Sequence, residues 1–420
     1  MSESLNVIAL ISGGKDSFFS ILHCLQNGHK VVALGNLYPP PSPTPANAGQ
    51  SSGSGKTAVE ETEEDLNSFM YQTVGHTVIP LYEQVLGIPL YRQQILGTAI
   101  QTASSYEPPV ENVDETESLV PLLRDIMLAH PEANALSTGA ILSTYQRTRV
   151  ESVALRLGLV PLSYLWQFPI LPPGEEVSLL EDMAAAGLDA RIIKVASGGM
   201  DESFLWENVA SDKGRRRIER AVARFGTGGD GAVLGEGGEF ETLVINGPDQ
   251  LFKGRIVIDE DDTRIIREGG GAAWLSIARA RVQVKAQDEL YTEMSIRTPD
   301  LLDSRFLETF RALQAHMESA SFLLGDLQVQ RSEQPLSTKS PVASSLYASV
   351  GNWTVMAGRS HAAEEEMGDI VLQVRHHLKK SHRKISDVVS SIVLLRTMKD
   401  FVVINKVRTK PFLESAPRTI

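Results

Sequence analysis

Lys15 and Asp16, set among glycines and serines in Ser12-Gly13-Gly14-Lys15-Asp16-Ser17, are the residues of this chain best equipped for chemistry. The set suits a phosphate. Gly13 and Gly14 let the backbone turn sharply, with no Cβ to hold an anion away from the amides. Lys15 supplies a point charge, and Ser12 and Ser17 supply hydroxyl donors. A helix starting here would aim its unpaired N–H groups at the same anion. Asp16 is the odd member, because a carboxylate facing phosphates needs a cation between them, most simply Mg²⁺. The bland alternative is a Gly-Gly turn capped by Ser12 with a solvated Lys15–Asp16 pair. Lys15 is expected on an exposed turn, outside the core.

Three further strings could take part. Gly235 to Thr242 interleaves Glu236, Glu239 and Glu241 with glycines on the way into an apolar run. Such crowded carboxylates need a cation or a cationic partner, or else form a solvated acidic turn. In Ser137 to Arg147, Gly139 closes a strand, Ser143 or Thr144 can cap the next helix, and Gln146 and Arg147 follow. Arg147 could clamp a carboxylate or phosphate bidentately, or lie on the surface. Tyr71 to His76 and Tyr164 to Gln167 offer aromatic and amide groups that could equally be core. Two strings are decoys. Gly55-Lys56-Thr57 lacks the first glycine of GxxxxGK(S/T), which would fall at Gln50, and Gly226, Gly228 and Gly231 follow a helix where a dinucleotide fold needs a strand.

The elements around these residues alternate. Val7 to Ile11 reads as a strand, and the 3.6-period pattern after it is closed by Gly28. Lys30 to Gly35 and Pro89 to Tyr91 read as strands, with a helix at Tyr82 to Leu86 between them. Leu119 to Ala129, Tyr145 to Leu157, Glu176 to Ala186 and Arg215 to Phe225 read as helices, and Ala133 to Thr138 and Ala190 to Val195 as strands. This order predicts an α/β fold, a mostly parallel sheet covered on both faces, with ligands beyond the carboxyl ends of its strands. Residues 39–65 and 101–117 are polar insertions. Leu346 to Gly358, around Gly351-Asn352, reads as a hairpin, 364–380 and 400–407 as helices, and 388–395 as a strand.

A chain of 420 residues predicts two or three domains, taken as 1–286, a helical segment and linker at 287–345, and 346–420. A net charge of −12 argues against bulk nucleic-acid binding. Cys24 is the single cysteine, which excludes internal disulfides and a multi-cysteine metal site. No apolar run is long enough for a bilayer, and the N-terminus lacks a secretory layout, so the cytoplasm is the expected location.

SGGKDS resembles the pyrophosphate loop of the N-type ATP pyrophosphatases, of adenine nucleotide alpha hydrolase-like, Rossmann-like fold. They convert ATP to AMP and pyrophosphate while activating a carbonyl or carboxylate. Within them, NLYPP (36–40), MYQTVGH (70–76), GAILSTYQRTRVE (139–151), YLWQ (164–167) and GEGGEFETL (235–243) resemble the diphthine–ammonia ligases, across roughly 1–285. The resemblance implies ATP-dependent amidation of diphthine on elongation factor 2 with ammonium, through an acyl-adenylate. It implies phosphates on Ser12, Gly13, Gly14, Lys15, Asp16 and Ser17, with Asn36, Leu37 and Gly139 also near the nucleotide. Lys15, Asp16, Glu239 and Arg147 would be catalytic. Gln146, Arg147, Tyr71 and His76 would face substrate, and Asp16, Glu236 and Glu241 would hold Mg²⁺. The segment from Leu346 resembles the Rid-type α+β fold, in an incomplete copy. The rival readings are an RNA-modifying relative, against which the single cysteine counts, and a non-catalytic ATP sensor.

Overall fold

The computed structural model describes residues 4–40, 74–99, 106, 114–171, 174–225, 231–286 and 296–299, with short pieces between 329 and 419. Strands β1 (Asn6–Leu10), β2 (Lys30–Tyr38), β3 (Leu90–Gln94), β4 (Ala135–Ser137) and β5 (Val160–Leu162) form a parallel sheet in the order β3-β2-β1-β4-β5. The chain steps outward from β1 to β3, then returns to lay β4 on the other side of β1. That reversal opens a crevice beyond the carboxyl ends of β1 and β4.

Alternation along β1 sends side chains to both faces. Val7 and Ala9 join one core with Phe18, Phe19, Ile21 and Leu22 of α1 (Lys15–Gln26) and Tyr82 and Val85 of α2 (Leu81–Leu86). Ile8 joins the other, with Leu119, Leu122, Leu123 and Ile126 of α3 (Leu119–Ala129) and Val150, Val153 and Ala154 of α4 (Thr144–Arg156). The i, i+3, i+4, i+7 spacing in α3 is an apolar stripe, and Pro121 falls in its first turn, where a missing N–H costs nothing. Ser143 caps α4 by accepting from Gln146 N–H at 3.3 Å.

The expectation that Ala190 to Val195 extends the parallel sheet needs correction. After α5 (Glu176–Ala185), β6 (Asp189–Val195) enters a separate antiparallel sheet. It follows on through α6 (Asp212–Phe225), β7 (Phe240–Asn246), β8 (Gly254–Val257), β9 (Thr263–Arg267), β10 (Ala273–Ile277) and β11 (Arg281–Val284), in the order β7-β6-β10-β9 with β8 and β11 paired apart. Cross-strand partners set the choice, Val195 opposite Phe240 and Lys194 opposite Glu241. A short apolar run carries no mark of which sheet it will join. The apolar side chains of β6 and β7 share the core of α1.

The chain divides into two compact units, residues 4–170 with 174–298, and a second that is mainly 299–420. In the second, β12 (Val329–Arg331), β13 (Ser345–Val350) and β14 (Trp353–Gly358) are antiparallel, and Val350 pairs with Trp353, while the expected turn residues 351–352 lie outside the described residues. Helical pieces occur between 371 and 380, and Ser390–Ser391 pairs with Arg418–Thr419. The helix expected at 400–407, both decoy strings apart from Gly231, and Tyr71 lie outside the described residues. Among the described residues no helix is long and apolar enough to cross a membrane.

Candidate functional site

The Ser12–Ser17 turn lies in the crevice, between β1 and α1. Gly13 is required there twice over. Its φ is +93°, and a Cβ on it would lie 2.7 Å from Ile79 Cδ1 and 3.3 Å from Leu243 Cδ1. Its carbonyl is pinned by Val244 N–H at 2.8 Å and by the Tyr82 hydroxyl at 3.3 Å. Gly14 stands at the N-cap of α1 in extended conformation and supplies no side-chain cap, so the first amide of the helix is met from outside, by Thr242. Ser17 Oγ donates to Gly14 O at 2.9 Å, and Ser12 Oγ accepts from Gly14 N–H at 3.3 Å.

Lys15 is not on an exposed turn. The residue is 3% exposed, its N–H donates to Thr242 Oγ1 at 3.0 Å, and its ammonium donates to Leu234 O at 2.6 Å and Asp16 Oδ2 at 2.9 Å. Thr242 in β7 of the antiparallel sheet, unforeseen from the sequence, and Leu234 in the short turn Ala232–Leu234 before it supply the outside partners and cover the lysine. Phe240 adds a ring 5.6 Å from Nζ. Burial raises the Asp16 carboxyl above its ordinary value despite Lys15 beside it. Asp16 Oδ1 has no hydrogen-bond partner among the described residues.

The glutamates separate. Glu236 Oε2 accepts from Leu142 N–H at 3.0 Å. Burial, then the neighbouring Asp16 carboxylate, pushes its carboxyl up to about 7. Glu239 is 8% exposed and accepts from Gly237 N–H at 2.9 Å, while Gly198 leaves it room, since a Cβ there would lie 2.9 Å from its Cγ. Glu241 pairs with Lys194 at 3.4 Å, because strand alternation turns it to the opposite face from Phe240 and Thr242. The expected Asp16, Glu236 and Glu241 set is therefore not brought together. Among the described residues no three histidine, cysteine or acidic side chains could hold a metal.

Gly139 closes the other side of the crevice. A Cβ on it would lie 2.7 Å from Ser17 N and 2.8 Å from the Asp16 carbonyl carbon. Ser20 Oγ, on α1, donates to Thr138 O at 2.9 Å. Arg147, on α4, holds Glu151 at 2.6 Å and stacks over the Trp166 ring at 4.6 Å. Gln146 lies beside it in the first turn. Asn36 is buried with its amide engaged, donating to Ile11 O and accepting from Arg92 Nε, both at 2.9 Å. Leu37 is buried in the core beside α3. His76 is half-buried, and its carbonyl accepts from Arg92 at 3.2 Å. Thr242 and Leu142 lie within the GEGGEFETL and GAILSTYQRTRVE motifs, yet nothing in their types points to the parts they play. Arg92, Leu234 and Tyr82 stood in no motif, and only their contacts reveal them.

Residues 175–281 match the family described as Diphthamide synthase C-terminal domain. The chain is 40% identical to diphthine–ammonia ligase of Schizosaccharomyces pombe over 67% of its own length and 40% of the relative's. It is 32% identical to that of Saccharomyces cerevisiae over 96% of its own length and 55% of the relative's. With that of Homo sapiens identity is 38%, over 62% of this chain and 85% of the human one. The chain thus spans about half, or less, of the two yeast relatives and most of the human protein. By these matches the chain belongs to the diphthine–ammonia ligase family.

Proposed function

We propose that this chain uses ATP to amidate diphthine on elongation factor 2, in the cytoplasm, producing diphthamide, AMP and pyrophosphate. The diphthine carboxylate attacks the α-phosphate, pyrophosphate leaves, and ammonia then displaces AMP from the acyl-adenylate. Gly13, Gly14 and the first amides of α1 hold the β- and γ-phosphates, with Lys15 neutralising charge on the leaving group and the Ser12 and Ser17 hydroxyls adding donors. Asn36 and Leu37 border the adenine, and Gly139 lets the β4 loop close on the phosphate turn. Arg147 and Gln146 orient the diphthine carboxylate, with Tyr71 and His76 toward the substrate. Glu239 is a candidate contact for ammonium. The unpartnered Asp16 Oδ1 fits a Mg²⁺ ion, which when bound would screen the phosphate charge. Glu236, tied to Leu142, and Glu241, tied to Lys194, are not assigned to it.

The observation that carries the reading is the convergence on one turn of strings far apart in sequence. Gly139 packs on Asp16 and Ser17, and Thr242 and Leu234 hold Lys15. Lys15→Ala is the test, with AMP release, mass spectrometry of elongation factor 2 and a melting curve read together. AMP release should fall by about 100-fold or more. The variant should also lose about 1–3 kcal/mol, because Leu234 O and Asp16 lose a buried partner. Unchanged AMP release removes the reading.

A further inference from the structure

Two costs meet at Gln167. Its φ is +58°, in the left-handed region that side chains other than Gly, Asn and Asp enter only with strain. Its side chain is buried at 6% exposure, yet the carboxamide oxygen accepts no hydrogen bond from any described residue. Two more unmet polar atoms lie around the same turn, Ser163 Oγ and His23 Nε2. The His23 ring stacks on Tyr164 at 5.8 Å and meets Phe168 at 5.7 Å, two residues of the same turn. Nearly all buried polar groups in a fold are paired, so three unmet atoms at one turn mark a place held at a cost to stability.

The turn is coupled to the phosphate site. Gln167 N–H donates to Ile141 O at 2.7 Å, within the loop whose Gly139 packs on Ser17 and whose Leu142 N–H meets Glu236. The unmet atoms are sealed from solvent, which excludes any large ligand. Of the substrates in the proposed reaction, ammonia alone is the size of a water, and it carries N–H donors for the oxygens. His23, held down at about 4 by burial and by Arg297, stays neutral and hands ammonia no proton, so the nitrogen lone pair stays free.

We propose that the Ser163–Phe168 turn receives ammonia, with the Gln167 carboxamide oxygen accepting its N–H hydrogen bond. This rests on the amidation reading above. The experiment compares the chain with its Gln167→Met and Gln167→Gly variants. Methionine keeps the volume without the acceptor, and glycine takes the positive φ without strain. KM for ammonium and for ATP are measured with diphthine-bearing elongation factor 2. Melting temperatures are taken in ammonium chloride against sodium chloride at equal ionic strength.

KM for ammonium should rise about tenfold or more, as for one lost hydrogen bond, while KM for ATP stays within about twofold. The melting temperature without ammonium should hold or rise, and an ammonium-specific rise seen in the parent should vanish. An unchanged KM for ammonium, or an equal rise in both constants, overturns the proposal. So does a lowered melting temperature in both variants, which makes the carboxamide a fold element around a buried water. A parent chain that releases no AMP with ammonium and diphthine overturns the amidation reading instead, and the ammonium-specific melting shift still decides whether the turn takes ammonia.

Discussion

Glu236 sets the charge balance beside Lys15 and Asp16, and its effect on stability has a definite sign. In the folded chain its carboxyl keeps a proton up to about pH 7, whereas its ordinary value is 4.5. Between those values the folded state binds more protons than the unfolded one, so stability falls as pH rises through that window, and the loss persists above it. Glu236→Gln removes the charge and keeps an acceptor for Leu142 N–H. Its melting temperature should exceed the parent's at pH 8 and match it near pH 4.5, the gap opening between 4.5 and 7. Melting curves across that range check the sign, and a gap that widens toward acid refutes the burial of this carboxyl.

At the scale of elements, the site depends on the loop after β4 lying flat on the start of α1. Gly139→Ala tests that packing, because the added Cβ would meet backbone at 2.7 and 2.8 Å, with no flexible side chain to yield. The loop or the helix must shift by several tenths of an ångström. Such overpacking costs about 1–3 kcal/mol, and the shift should raise KM for ATP if the turn holds its phosphates as proposed. An alanine variant with the parent's KM for ATP would show that the β4 loop does not shape the nucleotide site. The same paired measurement on Tyr82→Phe, which removes the hydroxyl contacts to Val244 O and Gly13 O, separates loop support from loop shape.

For the whole molecule, the contacts place the edge of the first unit after Thr298 rather than at 286. Ile296 is buried in the α1 core at 8% exposure, and Arg297 donates to Asp182 at 2.7 and 3.0 Å. A chain ending after Thr298 should keep both the melting temperature of this unit and ATP cleavage. One ending at residue 290 leaves the largely buried Asp182 without its guanidinium; because Arg297 is itself 32% exposed, the cost is about 1–3 kcal/mol. That corresponds to a fall of roughly 2–10 °C for a unit this size. Differential scanning calorimetry of the two shortened chains distinguishes the boundaries, and equal melting temperatures would remove the structural part given to Ile296 and Arg297.

Local chemistry made much of this legible in advance. Strand, paired glycines and amphipathic helix at 7–28 are set by periodicity and by backbone freedom, and α3 emerges with the bounds its apolar stripe predicts, Leu119 to Ala129. The Ser143 cap is equally local. What the residues could not declare is whatever depends on a partner far along the chain. Strand β6 carries the same apolar pattern whether it lies in a parallel or an antiparallel sheet, and only pairing with β7 and β10 decided it. Lys15 looked exposed because its cover, Leu234, Thr242 and Phe240, lies more than two hundred residues away. Glu236 and Glu241 were expected to join Asp16 around one cation, but strand alternation and the Lys194 register turn Glu241 away from Thr242. Sequence spacing fixes which side chains a strand can send to one face, but tertiary packing chooses the face and what stands opposite it.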